Sequence, residues 1–179
     1  NIILKYASEK GKEIATQVKA VVGISVPIDL KDSCEMLHQP SNFIYLKRFI
    51  RQLKRKAVEK AIQFPDKGLT PTLVNQVRNF HDFDNLYTAP AHGFKNAFDY
   101  YQQCSSKFGL HNITIPALLI NAQNDPFLGP SCYLNQDEIP DNLTYLAPRY
   151  GGHVGFAINN RMTEKFWSEL QVLDFLNHL

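Results

Sequence analysis

Apolar and polar positions follow two different rhythms along this chain. Asn1 to about Lys10 sets Ile2, Ile3, Tyr6 and Ala7 at helical spacing, and Gly11 is a natural stop. Next comes VKAVVGISVP, a short, β-branched apolar run closed by Pro27, as expected of a buried strand. From Asp29 to about Phe108 the strand signal disappears. Asn42 to Phe64 reads as one long helix, with Phe43, Leu46, Phe49, Ile50 and Leu53 near one face, broken by Asp66-Lys67-Gly68 and Pro71. An aromatic-rich segment follows from Phe80 to about Ser105. Strand character returns over Ile115 to Asn121, where Leu118, Leu119 and Ile120 form the unbroken apolar run of a strand buried on both faces. A short strand over Leu143 to Ala147 leads into a Gly-rich loop. The closing helix sets Phe166, Trp167, Leu170, Leu173 and Leu176 along one face, with Thr163 as its expected cap.

Strands alternating with helices predict an α/β fold built on a parallel sheet. The expected divisions are residues 1–28 as the start of the core, 29–108 as a helical insertion and 109–179 as the C-terminal core. The chain has no internal repeat and no low-complexity tract.

Composition narrows the function. At 44% apolar and 20% charged residues, the 179-residue chain can bury a core. A net charge of +2 is too mild to argue for nucleic acid. Cys34, Cys104 and Cys132 are far apart and in no CxxC pattern, which suits reduced thiols in a cytoplasmic compartment. The sharper alternative, Cys104 as a nucleophile, has no local signature. No run reaches the ~20 apolar residues that span a bilayer, and no signal peptide is visible. His81, Asp82, Asp84 and His92 fit no zinc spacing, and carboxylates there serve helix starts, so neither metal nor cofactor is expected. The basic stretch Lys47, Arg48, Arg51, Lys54, Arg55 and Lys56 has two readings: a solvated helix face, or weak docking to anionic lipid headgroups or an acidic partner.

Two sites carry candidate chemistry because of where they fall. Asn124-Asp125-Pro126-Phe127 directly follows the apolar strand, and functional groups collect at the carboxyl ends of parallel strands. An aspartate there can orient a histidine and offset its charge, though Asp-Pro is also ordinary turn chemistry. His153 lies in YGGHVGF after the next strand, 28 residues beyond Asp125. Its flanking glycines permit a sharp turn that holds the imidazole out of the sheet, where it can act as general base and then general acid. Taken alone, each has a bland reading; acid first and histidine second, each after a strand, is the order of an α/β-hydrolase triad.

Four stretches, NIILKYASEKG, FHDFDNLYTAPAHGFKNAFDYY, LLINAQNDPF and YGGHVGF, resemble the YheT-like branch of the α/β-hydrolases. The resemblance implies Asp125 as triad acid, His153 as triad base and residues from about Asp29 to Ser105 as a cap over the active site. One departure is large: members carry a GxSxG nucleophile elbow, and this sequence contains none. The chain resembles the family from the Asn that follows the elbow. The serine is therefore expected a few residues before Asn1, within an N-terminal half that makes the protein roughly twice as long. The implied activity is hydrolysis of a carboxylic ester, with an apolar small-molecule substrate suggested by the aromatic cap. The alternative is a non-catalytic module of the same fold.

Overall fold

The computed structural model describes residues 1–157 and 166–179. The elements are α1 (Ile2–Lys10), β1 (Val21–Ile24), α2 (Leu30–Leu37), α3 (Phe43–Gln63), α4 (Pro71–Gln76), α5 (Phe80–Phe83), α6 (Ala89–Ala91), α7 (Ala97–Cys104), β2 (Ala117–Ile120), β3 (Leu143–Leu146) and α8 (Trp167–Asn177). Short 3₁₀ turns and one π-helical turn, Asp84–Thr88, join them. The fold is α/β, with a parallel sheet in the order β1-β2-β3. Each strand is shorter than its apolar run, because the hydrogen-bonded ladder extends only from Val21↔Ala117↔Leu143 to Ile24↔Ile120↔Leu146. The chain forms two compact units, one of Asn1–Ser33 with Cys104–Leu179 and one of Cys34–Gln103. No helix among the described residues is long and apolar enough to cross a membrane.

The first unit is organised by β2, whose four residues are all buried. Side chains alternate across the sheet. Ala117 and Leu119 join Leu4, Ala7, Val21, Ile28 and Leu143 on one face, while Leu118 and Ile120 join Ala122 and Phe156 on the other. Helix α1 meets its neighbours through small groups: a Cβ on Gly109 would stand 2.7 Å from the Ser8 Oγ. That close approach explains why α1 buries Leu4, Ala7 and Ser8 and leaves Ile2, Ile3 and Tyr6 exposed, contrary to the apolar face expected of it.

Helix α8 also turns from its expected face. Trp167 stacks on Phe156 at 6.1 Å, and Val172 and Phe175 pack with it, while Leu170, Leu173 and Leu176 stay exposed. With apolar residues around most of its surface, several stripes compete, and the aromatic stack selects one. The Phe166 N–H donates to the Glu169 carboxylate at the helix start; Thr163, the expected cap, lies outside the described residues.

The second unit is helical throughout its regular structure. Ile50 and Ala57 of α3 pack with Val74, Val77 and Phe83, and Leu46 and Leu53 lean on the same cluster. The Lys54 ammonium donates to the carbonyls of Asn75 (2.7 Å) and Val77 (3.0 Å), satisfying orphan groups at the end of α4. Phe43, expected on the inner face, is 59% exposed because it begins the helix, ahead of the turn at which α4 and α5 pack.

Asn121 secures the chain where β2 leaves the sheet. Its Oδ1 accepts from the Val26 N–H (2.8 Å), and its Nδ2 donates to the carbonyls of Val26 (3.0 Å) and Cys132 (3.1 Å). All of this is buried, so truncation strands three backbone groups in a dry interior. Asn121→Ala should lower stability by about 2–4 kcal/mol, read by urea unfolding, with the midpoint falling at unchanged slope.

Candidate active site

Asp125 follows β2 by five residues, inside a turn in which its own N–H donates to the Ala122 carbonyl (3.0 Å). One carboxylate oxygen, Oδ1, accepts from the Phe127 N–H (2.9 Å). The other, Oδ2, stands 2.9 Å from the His153 Nδ1. The structure thus brings together the two residues singled out in the sequence. One Asp125 oxygen lies within the Asp-Pro turn and the other faces the imidazole.

Burial divides the pair. The Asp125 side chain has no exposure, whereas that of His153 is 37% exposed. A carboxylate removed from water and facing Nδ1 favours the tautomer with its proton on Nδ1, which leaves the Nε2 lone pair to accept a proton. The Phe127 ring meets the imidazole edge-on, with centroids 4.8 Å apart, and restricts its rotation. Nearby, burial, reinforced by the Asp125 charge, pushes the Tyr133 hydroxyl up to about 12. It therefore stays protonated near neutral pH and donates to the Ala122 carbonyl (2.8 Å).

The loop that carries His153 is held at three points. Asn124 Oδ1 accepts from the N–H groups of both Gly151 (3.0 Å) and Gly152 (2.9 Å). Neighbouring residues at one strand end therefore grip the loop's backbone and its imidazole. Gly152 has φ +59°, and a Cβ on Gly151 would fall within 2.8 Å of Phe156 and Ala122, so both positions require glycine. The second restraint comes from Ser25, beyond the end of β1, whose hydroxyl donates to the His153 carbonyl. Ser25 is buried and has φ +53°, uncommon for a residue with a side chain. The third is the Trp167 N–H, which donates to the Phe156 carbonyl (2.9 Å) and ties α8 to the loop.

Asn124 and Ser25 have no role in the sequence reading. For Asn124 a signal was present: an Asn beside the candidate acid, facing a Gly-Gly pair that offers two N–H groups. Ser25 gave no signal, because its bond depends on strand order.

The remaining candidates belong to local structure. Asp82 accepts from the Arg78 N–H (2.9 Å), while Asp84 accepts from the hydroxyls of Thr88 (2.6 Å) and Tyr101 (2.7 Å). Burial raises the Asp84 carboxyl above its ordinary range. Among the described residues no group of three or more His, Cys, Asp or Glu side chains is placed to hold a metal ion. None of the three cysteines is in a disulfide, and burial pushes the Cys34 thiol up to about 11, far from a reactive thiolate.

Curated proteins similar to this chain carry esterase, lipase and abhydrolase names. A protein of Escherichia coli (strain K12) named "Putative esterase YheT" is 30% identical over 179 residues, covering 98% of this chain and 52% of YheT. An "Abhydrolase domain-containing protein" of Dictyostelium discoideum is 31% identical over 98% of this chain and 44% of its own length. A "Monoacylglycerol lipase" of Saccharomyces cerevisiae is 27% identical over 94% of this chain and 38% of its own. The chain spans about half the length of these relatives, or less. No family model matches it.

A direct check of the pair is the imidazole tautomer. Nitrogen NMR of His153 at mildly alkaline pH should show the proton on Nδ1, and Asp125→Ala should move it toward Nε2. A wild-type ring protonated chiefly on Nε2 would remove Asp125 from its role.

Proposed function

We propose that this chain, a relative of the α/β-hydrolases, carries the acid and the histidine of a serine esterase whose nucleophile lies outside these 179 residues. The observation that carries this reading is the 2.9 Å contact between buried Asp125 and half-exposed His153, each in a loop following a parallel strand. The relatives' names support ester chemistry, and their greater length leaves room for the serine and the oxyanion donors.

In this mechanism His153 Nε2 takes the proton from the serine hydroxyl as its oxygen attacks the acyl carbonyl. The imidazolium that forms is offset by Asp125, which remains ionised. His153 then gives the proton to the leaving alcohol oxygen, and the acyl group stays on serine. Water attacks the acyl-enzyme by the same route, with His153 first as base and then as acid. No cofactor enters these steps. We assign the helical unit Cys34–Gln103 to substrate selection and, from its aromatic content, favour an apolar ester. The three cysteines outside disulfides suit a cytoplasmic setting.

The competing reading is a non-catalytic module, favoured by the lack of GxSxG within the chain. Two assays separate them. The 179-residue chain should hydrolyse p-nitrophenyl acetate no faster than its His153→Ala variant, because it holds no GxSxG nucleophile elbow. In the longer protein, His153→Ala and Asp125→Asn should each lower kcat/KM by about 10⁴-fold or more. Burst kinetics with a trapped acyl group on the chain alone would place the nucleophile here. Absence of turnover in the longer wild-type protein would leave the non-catalytic module as the better reading, and unchanged turnover in its His153→Ala variant would remove His153 from the chemistry.

A further inference from the structure

The charge of this protein is concentrated in one helix. Helix α3 carries Lys47, Arg48, Arg51, Lys54, Arg55, Lys56 and Lys60 against Glu59 alone, a net +6 (7 − 1). The whole chain is +2, so everything outside α3 sums to −4 (2 − 6). So uneven a distribution is the electrostatic form that attracts an anionic surface.

Helical geometry decides which cations are available. The inner face is occupied by Ile50, Ala57 and Ala61, which are buried, and Lys54 is committed to the end of α4. At 100° per residue, Arg48, Arg51 and Arg55 fall within one sector on the outer side, together with Ile44 and Ile62. The three arginines are exposed and meet no carboxylate among the described residues. Ile44 is 79% exposed and Ile62 68% exposed, near the two ends of the helix and on the same line as the arginines. They are about 27 Å apart along its axis. An open groove of about 930 Å³ borders this stripe, lined among others by Phe43, Ile44, Arg48, Arg51 and Arg78.

Away from this sector, the helix ends pair cations with aromatic rings. The Lys47 ammonium sits 5.7 Å from the Phe43 ring centre, and the Lys60 ammonium 5.2 Å from that of Phe64. Phe43 is 59% and Phe64 48% exposed. Each pair is an intrahelical cation–ring contact and takes no part in the arginine stripe.

We propose that the outer face of α3 docks flat on an anionic lipid surface. The arginines meet phosphate or carboxylate headgroups, while Ile44 and Ile62 enter the headgroup boundary at the two ends. A nucleic acid would neutralise the arginines but leave both isoleucines in water. A lipid interface satisfies both kinds of residue, and this decides between them. Because the inner face holds the unit's own core, contact is shallow and the helix does not need to unpack. This inference is independent of the hydrolase reading.

Co-sedimentation of the full chain with vesicles tests it. Binding should be strong on phosphatidylcholine vesicles containing phosphatidylserine, at least about tenfold weaker on phosphatidylcholine alone, and released by raised salt. Arg48→Gln/Arg51→Gln/Arg55→Gln should lower affinity for the anionic vesicles at least about tenfold. Ile44→Ser/Ile62→Ser should also weaken binding while leaving its salt dependence in place. All five positions are exposed, and circular dichroism confirms that the variants remain helical. Equal binding to both vesicle types overturns the proposal, as does undiminished binding by either variant. Retention on RNA or heparin without vesicle binding also overturns it, assigning the face to another polyanion.

Discussion

Burial of β2 on both faces is the constraint from which the rest of the first unit follows. A strand enclosed in this way has no water for its polar groups. Its four residues are served by β1 and β3, but the chain must then leave the sheet through a region that is still dry. Asn121 is fully buried there and acts as a substitute strand, offering one acceptor and one donor to Val26 and a second donor bond to Cys132. The turn at Asp125 follows at once, closed by the Asp125 N–H on the Ala122 carbonyl. The candidate acid is thus an extension of a structural solution, since the polar groups that close the end of β2 also aim a carboxylate at the next loop. This is why the site's geometry does not depend on a long loop finding its own conformation.

The order of strands then does the selecting. β1 and β3 flank β2 in parallel, so their carboxyl ends open on the same side. Ser25 arrives from one neighbour and His153 from the other, and they meet through the His153 carbonyl. Residues 128 positions apart in sequence therefore hold one loop. Ser25 takes a backbone conformation that costs of order 1 kcal/mol for a residue with a Cβ. Such a cost is tolerated where burial and hydrogen bonding over-determine the position, and both operate at Ser25.

How much of this was legible differs by level. The α/β class and the parallel sheet follow from apolar runs too short for helices and too continuous for half-exposed strands, and Asp125 and His153 follow from their placement just after two of them. Helix orientation was less legible. In α1 and α8 the apolar residues exceed what one face can hold, so spacing alone leaves several stripes open. The choice was made by contacts distant in sequence, Ser8 against Gly109 and Trp167 against Phe156. Asn124 shows a third case. Its residue type and position were visible, but its function required knowing that two consecutive N–H groups 27 and 28 residues away would face it.

The second unit reaches order by different means, and its surface follows from that. Its core is a set of short helices around α3, closed by side chains of moderate size such as Ala57, Val74 and Val77. Within it lies a buried polar chain in which Tyr101 donates to Asp84 beside the π-helical turn and the Cys34 sulfur stands 3.4 Å from the Tyr101 hydroxyl. Burial pushes the Cys34 thiol up to about 11 and raises the Asp84 carboxyl above its ordinary range. The densest run of exposed cations in this unit is on α3. A helix of 21 residues gives about six turns on which to segregate an inner apolar face from an outer cationic one. The outer arginines repel one another, which weakens the isolated helix slightly. Their retention in one sector, with isoleucines set among them, is unfavourable for a face that only meets water and is relieved once an anionic surface supplies the missing charge.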